Sequence, residues 1–239
     1  MARKHKVVLT AMGVLGANGT GTEAFWSSIL EGRSGIAPIT HFEAEDLACR
    51  IAGEVKDFDP TEYIDPRLKP ERRMGRASQL GLAAASLAAN EIQSKSEPFT
   101  GSGEVPVVMG VSSSSLELRE KRAASWISVQ SIPHIVGSGI AYLLGLDSRL
   151  LSVSTGCCSG LDAVAIAAEE VRTGRADVAV AGAADSVMSR FVFECFAKSR
   201  KLSRRNDEPA RAARPFDRDR DGGVAAEGAG VVILENDAY

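Results

Sequence analysis

The chain has 239 residues, and its 28 Lys and Arg stand against 31 Asp and Glu for a formal net charge of −3. That balance gives no whole-chain attraction to nucleic acid or to an anionic membrane. Hydrophobic residues make up 44% and charged residues 25%, an ordinary globular composition, and no apolar run reaches the roughly 18 residues of a transmembrane helix.

The start, Met1 to Lys6, is basic, but Val7-Val-Leu9 is too short for a signal-peptide core. A cytoplasmic chain touching neither nucleic acid nor membrane is expected. The four cysteines (49, 157, 158 and 195) contain no Cys-x-x-Cys, and the three histidines (5, 41 and 134) are widely scattered. Neither a disulfide framework nor a metal site is expected.

Lys6–Met12 reads as a buried strand bounded by Gly13 and Gly16. Gly19-Thr-Gly21-Thr-Glu-Ala24 has a superficial dinucleotide-binding look. It begins several residues beyond the strand, however, where that fingerprint needs glycine at the strand's end. A turn into a helix over Thr22–Glu31, with Thr22 as cap, is expected instead. Residues 32–75 are rich in Pro, Gly and charge and predict an irregular excursion rather than a domain. They end in the basic stretch Arg67 to Arg76, which is either a solvated face or a docking patch for an acidic partner.

Apolar spacing predicts a helix over Gln79–Ile92, a polar loop from Ser94 to Glu104 and a strand over Val105–Gly110. The serines at 112–115 read as a turn and helix cap, because no Gly-x-Ser-x-Gly elbow is present. A helix with a small-residue face follows over Ile132–Leu144. Then come an apolar strand from Leu150, a helix over Ser159–Thr173, a strand over Asp177–Ala183, a helix through Phe191–Ala197, an Arg-rich segment and a strand over Gly230–Glu235. Strands alternating with helices argue for a layered α/β fold on one mixed sheet.

The sharpest chemistry lies in Ser154-Thr-Gly-Cys157-Cys158-Ser-Gly160, between that apolar strand and the following helix. A thiol at a helix N-terminus meets unpaired N–H groups and the positive end of the helix dipole, which favour the attacking thiolate. Cys157 and Cys158 are both candidates, and inert core packing is the plain alternative. Asp217, Asp219 and Asp221 suggest the opening of a calcium loop, but its twelfth position is Gly228 rather than Glu. A salt-bridged structural loop with Phe216 as apolar anchor is expected there. Cys195 and Phe196 read as packing residues of an apolar helix.

These residues resemble one family, the β-ketoacyl-acyl carrier protein synthases, the condensing enzymes of fatty acid and polyketide synthesis. Val153-Ser-Thr-Gly-Cys157-Cys-Ser-Gly160 is similar to the family's Ser-Thr-Ala-Cys-x-[Ser/Thr]-Gly motif, with Gly156 in place of Ala. Gly35–Thr40, Arg50–Phe58, Ala176–Gly182, Arg214–Gly222 and Glu227–Gly230 resemble further family segments in the right order. The likeness is greatest to the elongating branch of type II fatty acid synthesis.

The resemblance implies half of a duplicated thiolase-like fold, with residues 1–239 as the N-terminal ketosynthase domain and the C-terminal half absent. It assigns Cys157 as nucleophile and Phe196 to the acyl pocket. It places Lys69, Arg72, Arg73 and Arg205 at a docking surface for acyl carrier protein. The carrier's phosphopantetheine arm delivers the acyl group, so no resident cofactor is implied. Two catalytic histidines and a lysine belong to the family's second half, and no histidine follows Cys157. Expected partners are acyl carrier protein, that half, and a second copy or a ketosynthase-like chain in a dimer. A non-catalytic ketosynthase-like subunit or carrier-binding module is the alternative, and a thiolase acting on coenzyme A is a third reading.

Overall fold

The structure, a computed structural model, describes residues 5–93, 103–113, 115–119 and 127–237. Met1 to Lys4, Ser114, Tyr239 and all but the end of the polar loop from Ser94 lie outside the described residues. The strands are β1 (Val7–Gly16), β2 (Gly19–Thr20), β3 (Ile36–Pro38), β4 (Ile51–Gly53), β5 (Val107–Gly110), β6 (Leu150–Val153), β7 (Val178–Asp185) and β8 (Gly228–Asn236). The α-helices are α1 (Thr22–Leu30), α2 (Pro70–Arg73), α3 (Arg76–Gln93), α4 (Ile127–Gln130), α5 (Ile135–Leu144), α6 (Ser159–Arg172) and α7 (Arg190–Lys198).

Six strands form one mixed sheet in the order β2-β1-β8-β7-β5-β6, and β3 pairs with β4 apart from it. β8 runs antiparallel to both its neighbours, β1 and β7, whereas β7, β5 and β6 run parallel. The pleat sorts side chains by parity. Val107, Met109, Val180, Val231 and Ile233 face α3 and α5, meeting Leu80, Ala84, Ala88, Val136 and Ile140. Val108, Ala179, Ala181 and Leu234 face α6, meeting Ala163, Ala167 and Val171. This two-sided burial is why β7 reads as an unbroken apolar run.

β1 continues past Gly13, where the sequence pattern ended it, because the glycine lets α3 close on the sheet. A Cβ there would lie 2.0 Å from the Ala84 carbonyl oxygen. Gly19 and Thr20 fold back on Gly16 and Leu15 as a short hairpin, so the Gly19–Ala24 stretch is a turn into α1 and not a phosphate loop. Gly21 occupies the cap position, and the Thr22 hydroxyl donates to the Met12 carbonyl instead of capping.

The irregular excursion through residue 75 holds β3, β4 and short helical turns. A third cluster, in which Cys49, Ile51 and Ala52 meet Met188, Phe193 and Ala212, ties it to α7. On the other sheet face α6 is the principal cover. Leu9 and Met12, which pair with Leu234 and Val232 of that face, remain 47% and 39% exposed.

Candidate active site

The parallel strands β7, β5 and β6 end at one edge of the sheet, with Gly110 opposite Val153 on one side and Ala183 on the other. Three loops leave that edge, and crevices at the carboxyl ends of parallel strands are where α/β sheets hold their chemistry. After β5, the amides of Ser112 and Ser113 donate to the Asp185 carboxylate at the end of β7. The Ser113 hydroxyl donates to the same carboxylate. After β6 comes the thiol turn, and after β7 the segment into α7, capped by the Ser189 hydroxyl accepting from the Val192 amide.

The thiol turn is pressed against the sheet at Gly110. A Cβ on Gly110 would stand 2.4 Å from the Ser159 carbonyl carbon and 2.6 Å from the Gly160 nitrogen. Gly156 is left-handed (φ 68°), and Gly156–Cys158 form one 3-10 turn that runs into α6 at Ser159. The helix opens at Ser159, where the sequence places it, and Cys157 sits just ahead of its first turn. Cys157 and Cys158 are both exposed free thiols, as is Cys195 on α7, whereas Cys49 is buried. Burial does not rank the two adjacent cysteines. Exposure of Cys195 corrects the expectation that it packs in the core.

Phe196, on the same helix, is 43% exposed, with neighbouring Phe191 also exposed. Val192 and Phe193 take the buried side of α7.

Lys69, Arg72 and Arg73 are all exposed around α2. Leu68 and Met74, on either side of the helix, are the apolar anchors that pack on the main core. Asp65 takes the Arg67 amide and its guanidinium, so Arg67 is neutralised locally. Lys69, Arg72 and Arg73 form no ion pair among the described residues. Behind them lies a cavity of about 410 Å³ lined by His41, Arg72, Arg76, Glu117, Met188 and Arg190. None of its walls belongs to the thiol turn.

Arg205 has other ties. It is partly buried, its Nη2 donates to the Asp219 carbonyl at 2.7 Å, and its Nε lies 3.6 Å from Asp221 Oδ1. Arg200 and Arg204, both exposed, form no ion pair among the described residues and share two open grooves of about 430 and 500 Å³. Sequence reasoning passed over them because an Arg-rich run does not say which guanidinium is already spoken for.

The Asp217–Asp221 loop binds itself. Asp217 accepts from the Asp219 amide, and Asp221 accepts from the Ser203 hydroxyl and the Arg204 amide. Those hydrogen bonds, the Ser203 hydroxyl foremost, hold the Asp221 carboxyl below its usual value. Among the described residues no three His, Cys, Asp or Glu side chains gather as a metal site. Phe216 is not the loop's anchor: it is 99% exposed and left-handed (φ 66°).

A mixed sheet wrapped by helices, with an exposed thiol turn at the carboxyl edge of its parallel strands, is a thiolase-like arrangement. Residues 4–238 match the family model for the beta-ketoacyl synthase N-terminal domain, and the chain belongs to that family. It is 35% identical to the 3-oxoacyl-[acyl-carrier-protein] synthase 2 of Synechocystis over 242 residues, covering 97% of this chain and 58% of that protein. The ishigamide ketosynthase/chain length factor superposes with a TM-score of 0.85 at 29% identity, over 98% of this chain and 59% of that one. A type II PKS acyl-carrier protein in complex with its ketosynthase bound to the hexaketide gives 0.80 at 27% identity, with the same coverage. This chain thus spans somewhat more than half the length of the relatives it matches.

Proposed function

We propose that this chain is the acyl-accepting half of a 3-oxoacyl-[acyl carrier protein] synthase. The observation that carries the reading is Cys157, an exposed thiol in the turn between β6 and α6. The thiolate attacks the thioester carbonyl of an acyl group on acyl carrier protein. A new S–C bond forms, the carrier's phosphopantetheine thiolate leaves and takes up a proton, and the acyl group stays on Cys157. Decarboxylation of a malonyl-carrier then supplies the carbanion that attacks this acyl-cysteine. That second step requires the histidines expected from the family's second half.

Lys69, Arg72 and Arg73 form the docking surface for the acidic carrier, a reading supported by their exposure and by the absence of ion pairs to them among the described residues. Arg205 contributes by holding its loop, and Phe196 forms part of the acyl pocket wall. β6 is an edge strand with Leu150 and Leu151 exposed, a surface suited to a second ketosynthase-like chain.

Alkylation with iodoacetamide or cerulenin, followed by peptide mass spectrometry, tests the nucleophile. The expected adduct is on Cys157; clean modification of Cys158, or of neither, would sink the assignment. Condensation by the chain combined with a second half separates an enzyme from a non-catalytic carrier-binding module, which would bind acyl carrier protein without turnover.

A further inference from the structure

Thr155, two residues before Cys157, is held at both its polar groups by side chains of α6. Ser154 to Cys158 are all exposed, so no buried side chain anchors this stretch, and the left-handed Gly156 adds backbone freedom. Order must come from hydrogen bonds. Ser159, 3% exposed, accepts the Thr155 amide at its Oγ (2.9 Å) and donates the same hydroxyl to the Gly156 carbonyl (2.6 Å). Asp162, one turn further along α6, accepts the Thr155 hydroxyl at Oδ2. An ionised carboxylate only accepts, so the direction of that bond is fixed.

We infer that Ser159 and Asp162 are positioning residues that hold the Cys157 turn in the geometry for attack on an acyl carbonyl. The inference rests on Cys157 being the nucleophile. Ser159 closes the five residues Thr155–Ser159 on themselves, and Asp162 fastens the upstream end of that loop to the helix downstream. Cys157 lies between, with a pinned residue on either side. Reactive geometry depends on such support, because small displacements of a nucleophile cost rate out of proportion to their cost in stability. An ordinary helix cap would steady α6 without changing which thiol reacts.

The test uses that difference, with exposed Cys195 on α7 as an internal reference. Iodoacetamide rate constants at Cys157, Cys158 and Cys195 are measured in one sample by mass spectrometry for wild type, S159A, D162A, D162N and T155V. In S159A and D162A the Cys157-to-Cys195 ratio should fall about fivefold, the weight of one hydrogen bond on a rate. D162N keeps an acceptor for Thr155 and should stay within about twofold of wild type. T155V, altered at an exposed position, should match D162A. Labelling of buried Cys49 identifies an unfolded variant, and T155V with D162N then decides. An unchanged ratio in the folded alanine variants and T155V would overturn the inference, as would a D162N loss equal to that of D162A. A wild type in which Cys157 reacts no faster than Cys158 and Cys195 would instead remove the nucleophile reading on which the inference stands.

Discussion

Arg76 and Glu227, 151 residues apart, form a two-pronged ion pair over a wholly buried carboxylate. Nε lies 3.0 Å from Oε2 and Nη2 lies 2.8 Å from Oε1. The same carboxylate takes the Val55 amide and the Ser186 hydroxyl, and the guanidinium stacks 4.9 Å from the Phe58 ring centroid. One pair thus joins the start of α3, the excursion after β4, the end of β7 and the start of β8. Removing one partner leaves a buried charge unpaired, so E227A should lose about 3–5 kcal/mol in urea unfolding. A loss under about 1 kcal/mol would show that water reaches the site and that the pair is not structural.

Glu227 was legible from the sequence only as part of a family motif, and Arg76 only as the end of a basic run. Periodicity reports which face of an element is apolar, and it found β7, α3 and α6 to within a few residues. It carries no information on which distant charge meets which. Cys195 and Phe216 failed for related reasons: an apolar residue in an apolar helix, or a lone aromatic in a charged loop, reads as a packing residue, whereas both side chains face outward. The thiol turn was readable because its chemistry is local, five residues between a strand and a helix.

Cys49 should behave as a latent thiol. Burial pushes its pKa up from the ordinary value, outweighing a hydrogen bond with the Ile51 backbone that favours the thiolate. Because the folded value is raised, its stabilising contribution is complete below the unfolded thiol pKa of about 8.5 and fades as pH rises through the folded one. Mass-spectrometric labelling at neutral pH should modify Cys157, Cys158 and Cys195 and spare Cys49 until denaturant is added. Prompt labelling of Cys49 in the native chain would contradict the third core cluster.

Asp221 and Arg205 should set an acid limit on the loop that follows α7. The Asp221 carboxyl is held below its usual value by Ser203, Arg204 and Arg205. Its contribution is therefore present above the unfolded carboxylate pKa of about 4 and is lost as pH falls through the lower folded value. Hydrogen exchange at the Arg204 amide should accelerate in that window in the wild type. In D221N it should already be fast at neutral pH. Equal protection in the two proteins would mean that Asp221 does not hold the loop.

Charge reversal separates docking cations from structural ones. R72E or R73E should weaken binding of an acyl carrier protein by about tenfold at low salt, and by less as salt screens the field. R200E and R204E should act in the same direction, since neither guanidinium has an ion-pair partner among the described residues. R205A should act mainly on stability, through the lost Asp219 and Asp221 contacts. Calorimetric titration with parallel melting curves checks all five, and a carrier affinity unmoved by both α2 variants would remove the docking surface.

The α6 side of the sheet gives the last test. Leu161 is 77% exposed on α6, and Leu9 and Met12, on the sheet face that α6 covers, are 47% and 39% exposed. An apolar surface of this extent associates with something. If the occupant is a second thiolase-like half, supplying that half should give a one-to-one complex in sedimentation equilibrium. L161D should abolish it without lowering the melting temperature of this chain, because the Leu161 side chain makes little contact within it. The chain without that half should self-associate, and L161D should reduce the self-association. A wild-type chain that stays monomeric at high concentration and ignores the second half would show that this face is not an interface.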